Sequence, residues 1–268
     1  MKNKIKSVFA EENLPVFFAE YKSVAFPEKQ NENYKTVLLT YLPYYYQPPK
    51  ERNLSLYAAL PDYHAEFIRL LTPVKNRLEA EIGGKFDIFA DNSSIDEKKA
   101  ANISGLGIIG DNSLIITEKY GSFVFLGEIL TDIEIECEPK MPSYCEHCGR
   151  CVKACPVSAI ENGKINTEKC LSAITQKKGE LTPEEEENII KNGLVWGCDT
   201  CQLVCPHNEF PEISDFAKRS DIMPKITSED VEGLSNSEFK KKYSDRAFVW
   251  RGLTTIKRNI EIIERGSK

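Results

Sequence analysis

Eight of the nine cysteines fall within residues 145–205, at the spacing of iron–sulfur ligands. The run Cys145-x2-Cys148-x2-Cys151-x3-Cys155-Pro156 is the bacterial ferredoxin pattern, in which three thiolates hold one [4Fe–4S] cubane and the fourth ligates its neighbour. A second half follows as Cys170 and then Cys198-x2-Cys201-x3-Cys205-Pro206. By the same exchange, cluster one takes Cys145, Cys148, Cys151 and Cys205, and cluster two takes Cys155, Cys170, Cys198 and Cys201. Zinc also uses Cys-x2-Cys pairs, but a triple repeat with paired Cys-Pro ends suits cubanes. The chemistry implied is one-electron transfer, and the chain reads as an electron carrier or a reductase.

Cys137 lies outside both halves and reads as a small hydrophobe. His147 sits inside a cluster loop and His207 just after one, so each reads as a hydrogen-bond partner of a sulfur or a carbonyl rather than a ligand.

The elements that must position these residues alternate in type. Val37–Leu42, Phe86–Ala90, Ser113–Thr117 and Ser122–Leu130 read as strands. Between the first two, Asp62–Ile82 carries apolar residues at helical spacing, and Pro73 is expected to break or kink it. The glycine-rich stretch Gly105–Ser113 precedes a strand, whereas a dinucleotide fingerprint follows one, so it reads as a tight turn admitting close backbone approach. One helix is marked within the cysteine-rich segment: Thr182 as N-cap, Glu185 closing a capping box, Pro183 at the first position and Gly193 as the stop. Helical patterns return after Pro211. The expected fold class is α+β, with an N-terminal α/β domain over 1–136, a ferredoxin-like 2[4Fe–4S] domain over 137–212 and a helical segment over 213–268.

The 268 residues, 41% hydrophobic and 28% charged, are ample for a buried core. No apolar run is long enough for a membrane span, and the first residues lack a signal peptide's apolar stretch and cleavage site, so the expected location is cytoplasmic, without membrane association. In that reducing compartment a disulfide framework is not expected. The net charge of −6 argues against indiscriminate nucleic-acid binding. Between Lys240 and Lys268, however, nine basic residues stand against three acidic ones, a local +6. A solvated helix face beside an acidic body explains such a run as well as a polyanion-facing patch does.

Around these motifs the chain resembles the epoxyqueuosine reductase family of cobalamin-dependent iron–sulfur enzymes. The resemblance is carried by Leu54-Ser-Leu-Tyr57-Ala58, Asp62-Tyr63-His64, Asp91, Gly105-Leu106-Gly107 with Gly110 and Asn112, and Gly121-Ser122 with Phe125-Leu126-Gly127-Glu128. It continues through Cys170–Thr175 with Lys178-Gly179, Gly197–Gln202, Cys205–Asn208 and Arg258-Asn259, spanning about residues 35 to 260. It implies a nitroreductase-like corrinoid-binding domain, electrons relayed through both clusters to a base-off cobalamin, and removal of the epoxide oxygen of epoxyqueuosine in tRNA. It assigns proton donation to Asp91, corrin contacts to Leu54, Tyr57, Ile115, Leu126 and Ser172, tRNA as a partner, and a low-potential ferredoxin or flavodoxin as electron donor. The chain has no Asp-x-His-x-x-Gly, the motif of a histidine cobalt ligand.

The chain departs from the family pattern in three places. Ser94 and Lys98 stand where the family has Pro and Arg, and Ile108 and Asp111 where it has Trp and Lys. The chain also stops soon after Arg258-Asn259, where many members continue into helical repeats. These departures leave two other expectations open: a dehalogenase-like corrinoid reductase of a small molecule, and a two-cluster electron carrier whose N-terminal domain docks a partner.

Overall fold

A computed structural model describes residues 1–209 and 211–266. The chain divides into two compact units that interleave along the sequence: residues 1–43, 63–110 and 114–146 form the first, and residues 44–62, 111–113 and 147–268 the second. The division differs from the three consecutive segments expected from the sequence, because loop segments far from the cysteines pair with the backbone around them. Leu54 bridges Trp196, Pro61 bridges Arg246, and the Asp62 N–H donates to the Asp245 carbonyl, so 44–62 belongs with the C-terminal half.

The first unit is built on an antiparallel sheet of strands β1 (Phe17–Glu20), β2 (Thr36–Pro43), β3 (Phe86–Phe89) and β4 (Val124–Thr131), in the order β1-β2-β4-β3. Three expected strands appear with shifted ends. The expected Ser113–Thr117 strand shrinks to Ile115–Ile116, paired with Ile108–Ile109 in a short hairpin. That hairpin explains Gly107: a Cβ there would lie 2.6 Å from the Ile116 carbonyl oxygen, so the close backbone approach is to the chain's own strand.

Two helices cover β4 through alternate residues. Helix α1 (Tyr63–Ile82) runs through Pro73 without interruption, contrary to expectation, and buries Phe67, Leu70, Leu71, Val74 and Leu78. Burying a side chain of that kind contributes about 1.5–3 kcal/mol, so together they outweigh the roughly 3 kcal/mol cost of an interior proline. Phe67 lies so close to Gly127 that a Cβ there would meet its ring at 2.5 Å. The neighbouring positions, Leu126 and Leu130, join Val37, Leu39, Ala100 and Ala101 in a cluster beneath helix α2 (Glu97–Ile103). Glu128 falls between them in the same alternation.

In the second unit, helices α3 (Arg150–Ala154), α4 (Leu171–Gln176), α5 (Pro183–Asn192) and α6 (Thr200–Leu203) carry or flank the cysteines, and α7 (Leu253–Gly266) packs on α5. The expected capping box of α5 is present: Thr182 Oγ1 accepts from the Glu185 N–H at 3.3 Å, the Glu185 carboxylate accepts from the Thr182 N–H at 2.8 Å, and Gly193 ends the helix at φ 61°.

Three members of the basic run tie the chain to itself. Arg246 is 5% exposed and donates to the Ala59 and Asp221 carbonyls and to the Asp221 carboxylate. Arg258 donates to the carbonyls of Lys177 and Gly179, and Arg265 pairs with Glu186. Lys268 lies outside the described residues. A charge count alone does not distinguish cations that tie loops together from cations that face solvent.

Candidate functional site

Seven of the eight proposed ligands, Cys148 through Cys205, lie in the second unit; Cys145 lies at the end of the first, its N–H donating to the Ile109 carbonyl at 3.0 Å. None of the nine cysteines is joined in a disulfide. Burial pushes the Cys201 thiol up to about 12, and Cys198, Cys170 and Cys151 lie close enough to add to it. Cys198 is raised by burial too, with Cys170 contributing. Thiols that crowd one another in this way oppose their own ionisation, and bound iron relieves the repulsion. The donor set therefore fits iron–sulfur clusters, and the neighbours of Cys201 include residues assigned to both cubanes.

The loops are held by fixed polar partners. Cys155 Sγ accepts the Ala159 N–H at 3.2 Å, and the Asn112 side chain hydrogen-bonds Cys201. Asp199, between Cys198 and Cys201, is buried, pairs with Arg52 at 2.7 Å and accepts the Leu56 N–H at 3.0 Å. Burial raises its carboxyl to about 6 against the opposing pull of Arg52. Contrary to the expected sulfur or carbonyl partner, His147 pairs with a carboxylate: its Nδ1 lies 2.6 Å from Asp111 Oδ1. Asp111 thus has a partner within its own unit. Cys137 is half-buried, and its thiol donates to the Ile135 carbonyl at 3.1 Å.

The residues singled out as corrin contacts occupy distinct settings. In the second unit, Leu54 is fully buried, and Tyr57 holds its hydroxyl 3.1 Å from Trp196 Nε1 and 3.3 Å from Gln176 Nε2. That amide also reaches Ser172 Oγ at 3.3 Å. In the first unit, Ile115 and Leu126 line a cavity of about 130 Å³ together with Tyr63, Glu97, Ser122 and Phe125. Tyr63 stacks on Phe125 with ring centroids 4.3 Å apart and the planes 9° from parallel. A larger cavity of about 1030 Å³ lies elsewhere in this unit, between residues 18–23 and 134–137. Of the residues singled out from the sequence it reaches only Cys137, and it meets none of the carboxylates described next.

Asp91 is exposed and follows β3, as its place after the Phe86–Ala90 stretch suggested. Its φ of 69° puts it in the left-handed region, which Asp tolerates better than bulkier residues do. Behind it stand two carboxyls to which the sequence pattern gave no role. Glu97, in the first turn of α2, is pushed up to about 7 by burial, with Asp91 adding repulsion. Glu128 is fully buried; its backbone is paired with Leu39 on one side and Phe89 on the other. Burial raises it to about 8, and Glu97 and Asp91 push the same way. The Ser93 hydroxyl is near enough to favour the ionised form, yet neither carboxyl oxygen makes a hydrogen bond of normal geometry within the protein. The signal in the sequence was a lone acid inside the apolar strand Phe125-Leu-Gly-Glu128-Ile-Leu.

Three comparisons bear on these features. Residues 144–208 match a 4Fe-4S double cluster binding domain. The chain is 37% identical over 205 residues to an epoxyqueuosine reductase of Lactococcus garvieae, covering 74% of this chain but only 57% of that protein. It is 30% identical over 247 residues to one from Leadbetterella byssophila, covering 89% of this chain and 80% of the relative. A crystal structure of epoxyqueuosine reductase with an epoxyqueuosine-modified tRNA-Tyr stem loop superposes with a TM-score of 0.82 at 24% identity, over 98% of this chain and 80% of that one, a likeness of fold. Among the described residues no helix is long and apolar enough to cross a membrane.

Proposed function

Because the chain belongs to the epoxyqueuosine reductase family, we propose that it removes the epoxide oxygen of epoxyqueuosine in tRNA, with Asp91 as the proton donor to the departing oxygen. The observation that carries this reading is the exposed Asp91 at the end of β3, backed by two raised carboxyls, in a chain that also holds a double-cluster domain. A carboxyl that gives up a proton must regain one, and acids with raised pKa values hold protons at neutral pH. A tRNA substrate places the protein in the cytoplasm.

When bound, the two [4Fe–4S] clusters supply electrons singly and a base-off cobalamin supplies a nucleophilic metal centre. Cluster one would be held by Cys145, Cys148, Cys151 and Cys205, and cluster two by Cys155, Cys170, Cys198 and Cys201. Arg52 and Asp199 keep the Cys198–Cys201 loop in place, and Asn112 hydrogen-bonds the Cys201 sulfur. Ile115 and Leu126 give an apolar wall to the first unit's cavity. Together with Tyr57 and Ser172 they are the corrin contacts we favour; Leu54, fully buried, is a core residue of the second unit. The electrons come from a low-potential ferredoxin or flavodoxin.

The test is single turnover of epoxyqueuosine-containing tRNA by anaerobically reconstituted protein with cobalamin and a chemical reductant. Conversion to queuosine is expected, and its absence with reduced clusters and bound cobalamin would overturn the assignment. Nitrogen superhyperfine splitting in the paramagnetic resonance of the bound cobalt(II) form would refute the base-off state.

A further inference from the structure

Reduction of an epoxide to an alkene consumes two electrons and two protons: both C–O bonds break, a C=C bond forms, and the oxygen leaves as water. The electrons come from the low-potential donor through the clusters. A single carboxyl can deliver only one proton before it is reloaded, so a lone donor at Asp91 needs a source for the second.

We propose that Glu128 is a buried proton store that reloads Asp91 through Glu97 within each turnover, acting as a supporting residue that never touches the substrate. The inference rests on the proposed epoxide reduction and extends it to the second proton.

The geometry supports the route. Glu128 pairs across the sheet with Phe89, two residues before Asp91, so the store lies beside the strand that carries the donor. Its side chain lies on the same face of β4 as Leu126 and Leu130, in the cluster under α2, and Glu97 opens that helix. Both Glu128 oxygens are buried without a hydrogen bond of normal geometry, and that is costly for a carboxylate and tolerable for a neutral acid. Glu97 lines the cavity of about 130 Å³, room for a few waters to connect it outward. The groups that face the pair are Ser93 and Asp91 from the loop after β3, Asp96 and Lys98 beside Glu97, and His64 from α1. Of these only Lys98 and His64 favour the charged form of Glu97, and neither acts on Glu128. After the turnover Glu128 recovers its proton from solvent by the same path.

The experiment has two readouts on the reconstituted protein. Infrared difference spectra at pH 7, wild type minus Glu128→Gln, need no substrate and are expected to show the carbonyl band of a protonated carboxylic acid. Absence of that band overturns the proposal whether or not the protein turns over tRNA. The second readout is the pH profile of single turnover. Glu128→Gln should stay within threefold of wild type at pH 6, where Glu97 is still protonated from solvent and can reload the donor, and fall at least about tenfold behind at pH 8, within the range for lost acid catalysis. Parallel profiles would overturn the relay. If Glu128→Gln does not fold, titrating the wild-type band from pH 6 to 10 decides the matter: loss with a midpoint near 8 supports the store, and no titratable band refutes it. Failure of wild-type turnover with the band present would instead strike the epoxide reading beneath.

Discussion

Glu128→Gln also gives a prediction about stability that is independent of catalysis. The carboxyl is raised from 4.5 to about 8 in the folded chain by burial. An acid raised on folding remains protonated in the folded state while the unfolded state ionises, so stability is full below about pH 4.5 and is lost progressively as pH climbs to about 8. At 1.36 kcal/mol per pKa unit, the penalty at pH 7 is about 3 kcal/mol, and at pH 5 it is under about 1 kcal/mol. Glutamine removes the ionisation and keeps the shape. The variant should therefore unfold above wild type at pH 7, by roughly 6–12 °C for a chain of this size. The gap should close toward pH 5. Thermal unfolding of both reconstituted proteins across pH 5–9 reads this directly: the clusters are common to both proteins, and whatever the amide itself contributes shifts the variant by the same amount at every pH, so the change of the gap with pH isolates the ionisation. A gap that does not vary with pH would show that Glu128 is ionised or solvated in the fold.

Asp91→Asn should retain iron and corrinoid but lose about 100- to 10,000-fold of single-turnover rate, the usual contribution of a general acid. Reconstituted wild type should hold close to eight irons per chain, by the ligand count of a double-cluster segment; Cys137→Ala should leave the iron content unchanged, whereas Cys155→Ala and Cys205→Ala should each lower it, as read by colorimetric iron analysis. Asn259 is fully buried and donates to the Thr175 and Val195 carbonyls at 2.7 and 2.8 Å. Asn259→Ala would strand both acceptors and should destabilise the second unit by about 2–4 kcal/mol, measurable as earlier thermal loss of the clusters' visible absorbance. For the same reason, removing everything after Ser244 would not isolate a docking tail: it would delete Phe248, Ile256 and Ile260 from the core along with the basic residues.

The cysteine array was legible from sequence because most of the thiolates of each cubane come from one short loop, whose Cys-x2-Cys spacing is itself the signal. The ends of α5 were legible for a similar reason: Thr182, Glu185 and Gly193 satisfy backbone groups within one turn of themselves. Asp91 needed the family resemblance, since an acid after a strand is ordinary. The tertiary structure alone decided what stands behind it. Glu97 and Glu128 are thirty-one positions apart and meet only because α2 lies on the face of β4 that also carries Leu126 and Leu130. Their raised pKa values come from burial, which no local pattern encodes. Tertiary contacts likewise drew 44–62 into the second unit, carried α1 through Pro73 and turned part of a basic run into ties between loops. Local chemistry is written in neighbouring residues, whereas desolvation and long-range pairing depend on which distant segments fold against them.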